Sequence, residues 1–219
     1  MYIDRQLELV KRLRAAGIVP VLVLEDVDTG LRLCELLQLS GLTTAEITFR
    51  TKAAAEIIAA AKKRFPDLLL GAGTVLNRDH LNQAFDLGAA FAVAPGFNPA
   101  IVKLAVDKNY PFSPGIATPS EVEQAHDLGV RLFKFFPAEA LGGVAMLKNL
   151  IAPYKHLGLS FMPTGGVTSA NFPDYLAVPE VAAVGGTWLG RAEDLKAGNW
   201  DKIGGDAKTA LETLKKIRG

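Results

Sequence analysis

One pattern constrains the fold more than any other. Eight times along the chain, a short apolar run rich in β-branched residues ends in glycine, proline or a polar residue and is followed by a segment with helical periodicity. The runs are GIVPVLVLE from 17, TTAEITF from 43, LLLGAGTV from 68, FAVAPG from 91, PFSPGIAT from 111, RLFKFFPA from 131, SFMPTGGV from 160 and VAAVGGTWL from 181. Strands that are apolar on both faces and alternate with helices imply a parallel sheet covered by helices. Eight units of roughly 25 residues each favour a single closed (β/α)8 TIM barrel over an open, doubly wound sheet of five or six strands. A first helix, with Leu7, Leu9, Val10 and Leu13 at helical spacing, precedes the first run. No Ser/Pro/Gly-rich linker, low-complexity segment or charge block marks a boundary, so residues 1–219 are expected to form one domain.

The helices carry local start and stop signals. Asn98-Pro99 and Thr118-Pro119 each place a capping residue before a proline at the first helical position, and Thr118 to Glu121 reads as a capping box. Leu81, Ala84 and Phe85 are followed by a glycine stop at Gly88. The formal net charge is +1, so no global field steers the chain toward nucleic acid or membrane, and any preference for anions must be local. Cys34 is the only cysteine, which rules out an internal disulfide and suits a reducing, cytoplasmic setting. No apolar run is long enough to span a bilayer.

In such a barrel the chemistry sits at the C-terminal ends of the strands. This filter removes all three histidines: His80 and His126 fall on helices, and His156 precedes the seventh strand. With no His or Cys cluster at metal-ligand spacing, no metal is expected. What survives is Glu46, Thr48 and Arg50 on the second run, Thr74 on the third, Lys134 on the sixth, Thr164, Gly165 and Gly166 on the seventh, and Gly185, Gly186 and Thr187 on the eighth. Strand alternation puts Glu46, Thr48 and Arg50 on one face, and Leu132, Lys134 and Phe136 on another. If both faces point inward, Glu46 and Lys134 meet across the interior. The opposite parity would send Lys134 under a helical layer with Phe133 and Phe135 inside. The inward reading is favoured because a buried charge needs a partner and Glu46 offers one.

A lysine in an apolar pocket leans toward the neutral amine, the form that attacks a carbonyl. The resulting iminium withdraws electrons, so a neighbouring carbon–carbon bond can break with its electrons stored as an enamine. Such chemistry needs a carboxylate for its proton transfers, and Glu46 is placed for that role by parity. The competing reading makes Glu46 a structural ion-pair partner of Lys134 or Arg50. The glycine pairs ending the seventh and eighth runs suit a phosphate held by backbone N–H groups, although a tight turn needs glycine equally. Arg50 supplies a planar fork for a carboxylate, and Thr74 a hydroxyl donor. After the first run, Asp26 or Asp28 reads as a helix cap; Glu25 and Asp26 facing the site would instead oppose a phosphate.

The motifs AEITFRT, GAGTVL, APGF, PGIATPSE, FKFFPAE, PTGGVTSANF and VGGTWL together resemble those of the bacterial 2-keto-3-deoxy-6-phosphogluconate (KDPG) aldolases, many of which also act as 4-hydroxy-2-oxoglutarate (KHG) aldolases. The resemblance covers nearly the whole chain. It implies a class I aldolase of the Entner–Doudoroff pathway that cleaves KDPG to pyruvate and glyceraldehyde 3-phosphate, usually as a homotrimer and without a cofactor. Lys134 is then the Schiff-base residue and Glu46 the general acid and base. Arg50 and Thr74 bind the pyruvate carboxylate; Pro95 of APGF and Phe136 of FKFF line the substrate site. Thr164, Gly165, Gly166, Gly186 and Thr187 hold substrate and phosphate. Two other activities fit the same residues: a sugar-phosphate isomerase or epimerase with Lys134 as a fixed charge, and a non-catalytic sugar-phosphate binding protein.

Overall fold

The structure, a computed structural model, describes all of residues 1–219. It alternates strands and helices as the runs imply. Helix α1 (Tyr2–Ala16) leads into β1 (Ile18–Leu22), α2 (Val27–Leu39), β2 (Thr44–Thr48), α3 (Ala54–Arg64), β3 (Leu69–Gly73), α4 (Arg78–Asp86), β4 (Phe91–Val93) and α5 (Pro99–Asp107). Then come β5 (Phe112–Ser113), β6 (Gly115–Ile116), α6 (Pro119–Asp127), β7 (Leu132–Phe135), α7 (Gly143–Ile151), a 3-10 turn (Ala152–Leu157), β8 (Ser160–Pro163), α8 (Phe172–Leu176), β9 (Val184–Gly186), α9 (Ala192–Ala197) and α10 (Trp200–Arg218). The caps are those the sequence implies. Asn98 accepts from the Ala100 amide, Thr118 and Glu121 form a reciprocal capping box, and Asp26 accepts from the Thr29 amide at 2.8 Å to start α2.

All strands pair in parallel. Six form a curled sheet in the order β5-β4-β3-β2-β1-β9, and three form a second sheet in the order β6-β7-β8. The fifth run departs from the single strand expected. Pro114 has no N–H to give a ladder, so the run divides around it: β5 pairs with β4, β6 pairs with β7, and the Pro114 carbonyl accepts from the Lys134 amide at 2.9 Å. Between β8 and β9 only isolated bridges form, Phe161 with Val181 and Thr164 with Gly185. Eight runs thus yield nine strand segments in two sheets.

Two apolar clusters follow from strand alternation. Outward residues such as Leu22, Ile47, Phe133, Phe135 and Phe161 pack under the helices. Inward residues Val19, Leu69, Phe91, Val93, Leu132 and Met162 form a separate core that Leu9 and Leu13 of α1 cover from the N-terminal ends of the strands. The α1 side chain of Gln6 stitches that end together. Its Nε2 donates to the Phe112 carbonyl at 3.0 Å, and its Oε1 accepts from the amides of Arg131 and Leu132. The opposite end, where the strands finish, is open.

Candidate active site

Lys134 points inward from β7 and is only 5% exposed. Its parity follows from its neighbours: Phe133 and Phe135 take the outward positions, leaving Leu132, Lys134 and Phe136 inside. Across the interior, on β2, Glu46 is fully buried. Lys134 Nζ donates to Glu46 Oε1 at 3.4 Å, a long bond that brings the two groups within reach without locking them together. Glu46 Oε2 is buried and has no partner at all. An orphaned carboxylate oxygen inside a protein is costly, and beside a lysine it marks a site made for something else to occupy.

Room for that carboxylate comes from a glycine. A Cβ added at Gly73, on the neighbouring strand β3, would lie 2.1 Å from Glu46 Oε1. The residue after it, Thr74, has φ 57, a left-handed conformation that a β-branched side chain rarely adopts. The Val75 amide bonds to the Val93 carbonyl at 3.0 Å and helps hold Thr74 in it.

Lys134, Glu46, Arg50, Thr74, Pro95, Phe136, Thr164, Gly165, Gly166, Gly186 and Thr187 all line one cavity of about 140 Å³ at the C-terminal ends of the strands. Of the candidates singled out from the sequence, only Gly185 does not line it: it lies behind Thr164, in the bridge that joins the seventh and eighth runs. Val21, Thr48 and Val167 complete the wall. Val21 and Val167 carried no sequence signal, being apolar residues in apolar runs. Thr48 shares the inward face, yet its hydroxyl is spent on the Leu22 carbonyl at 2.9 Å and serves to tie β2 to β1. A larger hollow of about 800 Å³ lies beside Met1–Asp4, but no lysine or arginine side chain lines it.

The cavity has two anion-seeking ends. Arg50 is exposed at the rim and makes no ion pair, leaving its guanidinium fork free. On the other side Gly165 (φ 93) and Gly166 (φ 81) are both left-handed, and the amides of Gly165, Gly166 and Val167 donate to no group of the protein. Successive free N–H groups in a left-handed turn form a concavity for an anion. The second glycine pair works differently, by making space. A Cβ at Gly185 would lie 2.3 Å from the Thr164 hydroxyl, and one at Gly186 1.8 Å from the Trp188 ring. Glu25 and Asp26 are not part of the wall; Asp26 caps α2, and its bond from the Thr29 amide holds its carboxyl below the usual range. None of the histidines lines the cavity, and no group of three His, Cys, Asp or Glu side chains is arranged to hold a metal.

Comparison with known proteins agrees with this geometry. The profile of the family "KDPG and KHG aldolase" matches residues 9–205. The 2-dehydro-3-deoxy-phosphogluconate aldolase of Haemophilus influenzae is 43% identical over 208 residues, covering 95% of this chain and 97% of that protein. Among solved structures, KDPG aldolase from Legionella pneumophila, with pyruvate captured at low pH as a covalent carbinolamine intermediate, superposes with a TM-score of 0.88 at 34% identity, covering 92% of this chain and 97% of that one. The KDPG aldolase of Zymomonas mobilis with 3-phosphoglycerate gives a TM-score of 0.85 at 38% identity, covering 94% and 95%.

Proposed function

The chain belongs to the KDPG and KHG aldolase family, and from that premise we propose that it is a class I aldolase cleaving 2-keto-3-deoxy-6-phosphogluconate to pyruvate and glyceraldehyde 3-phosphate through Lys134. The observation that carries the reading is the buried Lys134–Glu46 pair with its unpartnered Oε2. Lys134 Nζ attacks the C2 ketone and, with loss of water, forms an iminium. Glu46 takes the C4 hydroxyl proton, the C3–C4 bond breaks, and its electrons pass into the enamine. The aldehyde leaves, C3 is protonated, and water releases pyruvate and restores the amine. Arg50 and Thr74 orient the carboxylate, with Pro95 and Phe136 bounding the reacting carbons. Thr164, Thr187, Gly186 and the free amides of the Gly165–Gly166 turn receive the phosphate. The electron sink is the imine itself, so the reaction asks for no cofactor and no metal. Cleavage of 4-hydroxy-2-oxoglutarate to pyruvate and glyoxylate is the second reaction proposed, since it shares the keto-acid half and the family includes both.

The same reading extends to the whole molecule. A single domain closed as an eight-position (β/α)8 barrel is supported by the bridges between β8 and β9 and by the change of partner at Pro114. We extend it to a homotrimer working in the cytoplasm, on the Entner–Doudoroff pathway, a reading supported by the resemblance of the motifs. The decisive experiment is borohydride reduction with excess pyruvate, followed by peptide mass spectrometry across residues 131–148. A reduced pyruvyl adduct on Lys134 is expected; a folded protein that acquires none would remove the imine and with it the aldolase.

A further inference from the structure

The turn that would receive the phosphate is made of the two residues least able to hold a shape. Gly165 and Gly166 have no side chains, and Gly166 is exposed. Glycine is free in the unfolded chain and loses more entropy on being fixed than any other residue. Something outside the cavity must hold the turn if its three amides are to converge.

Two residues absent from the cavity wall do so. The Glu139 amide donates to the Gly165 carbonyl at 3.0 Å, beside the Ala138 amide on the Thr164 carbonyl at 2.8 Å. The Glu139 side chain then folds under the turn, so close that a Cβ at Gly166 would lie 2.6 Å from its Cβ and Cγ. Its carboxylate ends on Tyr175 of α8, whose hydroxyl donates to Oε1. Tyr175 is fully buried. Burial and then the adjoining carboxylate push its phenol well above the ordinary range, so it remains a donor throughout the physiological pH span. Glu139 is itself exposed and forms no ion pair. Water would satisfy its carboxylate equally well, so the bond from Tyr175 fixes where Glu139 lies and adds little to stability. On the far side, Asn171 Nδ2 donates to the Gly166 carbonyl at 3.1 Å.

We propose that Glu139 and Tyr175 are positioning residues for the phosphate end of the substrate: Tyr175 anchors the Glu139 side chain beneath Gly166, and Glu139 in turn holds the Gly165–Gly166 turn with its amides facing the cavity. The proposal rests on the phosphate reading of that turn. It assigns to Glu139 no contact with substrate and no proton transfer. Losing the anchor lets the turn relax, and a shift of order 1 Å in donors of this kind is enough to weaken recognition strongly.

The test compares Tyr175→Phe, Glu139→Ala and Glu139→Gln with the parent protein in two measurements: calorimetric titration with 3-phosphoglycerate, and borohydride trapping of pyruvate on Lys134. Tyr175→Phe keeps the ring in its packing and removes only the hydroxyl. It and Glu139→Ala are expected to weaken 3-phosphoglycerate binding about tenfold, while Glu139→Gln, which keeps an acceptor for the phenol, stays within about twofold of the parent. Pyruvate trapping is expected to be unchanged in all three. Unaltered anion affinity in Tyr175→Phe and Glu139→Ala overturns the proposal, as does a parent protein that fails to bind 3-phosphoglycerate. So does an equal loss of trapping and affinity, which would mean general damage. A parent that binds the anion but traps no pyruvate would defeat the lysine chemistry alone and leave the clamp to be judged by the titration.

Discussion

At the scale of single residues, two glycines on β3 separate packing from chemistry. Gly71 and Gly73 sit two positions apart, facing the same interior. A Cβ at Gly71 would come within 2.3 Å of the Phe91 ring, whereas one at Gly73 would fall on the Glu46 carboxylate. Gly71→Ala is therefore expected to cost about 1–3 kcal/mol of stability through overpacking, with kcat nearly unchanged in the folded fraction. Gly73→Ala is expected to displace the carboxylate proposed to move the protons and to lower kcat for KDPG cleavage by about 100-fold or more. Urea unfolding and steady-state kinetics on the two variants check the contrast, and a Gly73→Ala enzyme with normal kcat would show that Glu46 need not lie where the structure has it. The left-handed Thr74 next along the chain fits the same pattern of local strain held at a functional position.

At the scale of elements, α1 works as a floor. Gln6 bonds to β5 through the Phe112 carbonyl and to the start of β7 through the Arg131 and Leu132 amides, spanning the segment that Pro114 breaks. Gln6→Leu would leave the Arg131 and Leu132 amides unpaired and the Phe112 carbonyl with only the long bond from the Tyr2 hydroxyl at 3.4 Å. At about 1–3 kcal/mol for a buried unsatisfied group, partly relieved by relaxation, the expected loss is about 3 kcal/mol. It is read as a lower urea midpoint with kcat retained, because Gln6 lies at the opposite end of the strands from Lys134. The periodicity of the runs was enough to read the order of strands and helices, and the parity of β7 followed from the need of Lys134 for a partner. The division of the fifth run was also written in the sequence: Pro114 sits mid-run, where it removes a ladder donor, and counting the run as one strand ignored that. Val21 and Val167 could not be read as cavity residues, since nothing local distinguishes an apolar wall of a site from an apolar core. The support of Glu139 by Tyr175 joins residues 36 apart in the chain, and only the folded molecule reveals it.

At the scale of the whole molecule, several large apolar side chains remain in water, among them Met1, Ile3, Leu7, Leu39, Leu76 and Phe85. With the proposed homotrimer, light scattering during size-exclusion chromatography is expected to give three times the chain mass of 23.4 kDa. A monomeric peak at micromolar concentration would count against it.

The floor built by Leu9, Leu13 and Gln6 has a further consequence for turnover. Lys134 is buried above a closed base, while Gly166 stands at the rim. The cavity is a blind alley with one door. On the proposed chemistry, the pyruvyl fragment stays bonded to the buried lysine after the aldehyde has been cut free, so the products must file out in a fixed queue: aldehyde first, pyruvate last. Run backwards, the same corridor admits the keto acid before the aldehyde, and an aldehyde that arrives early only stands in the doorway.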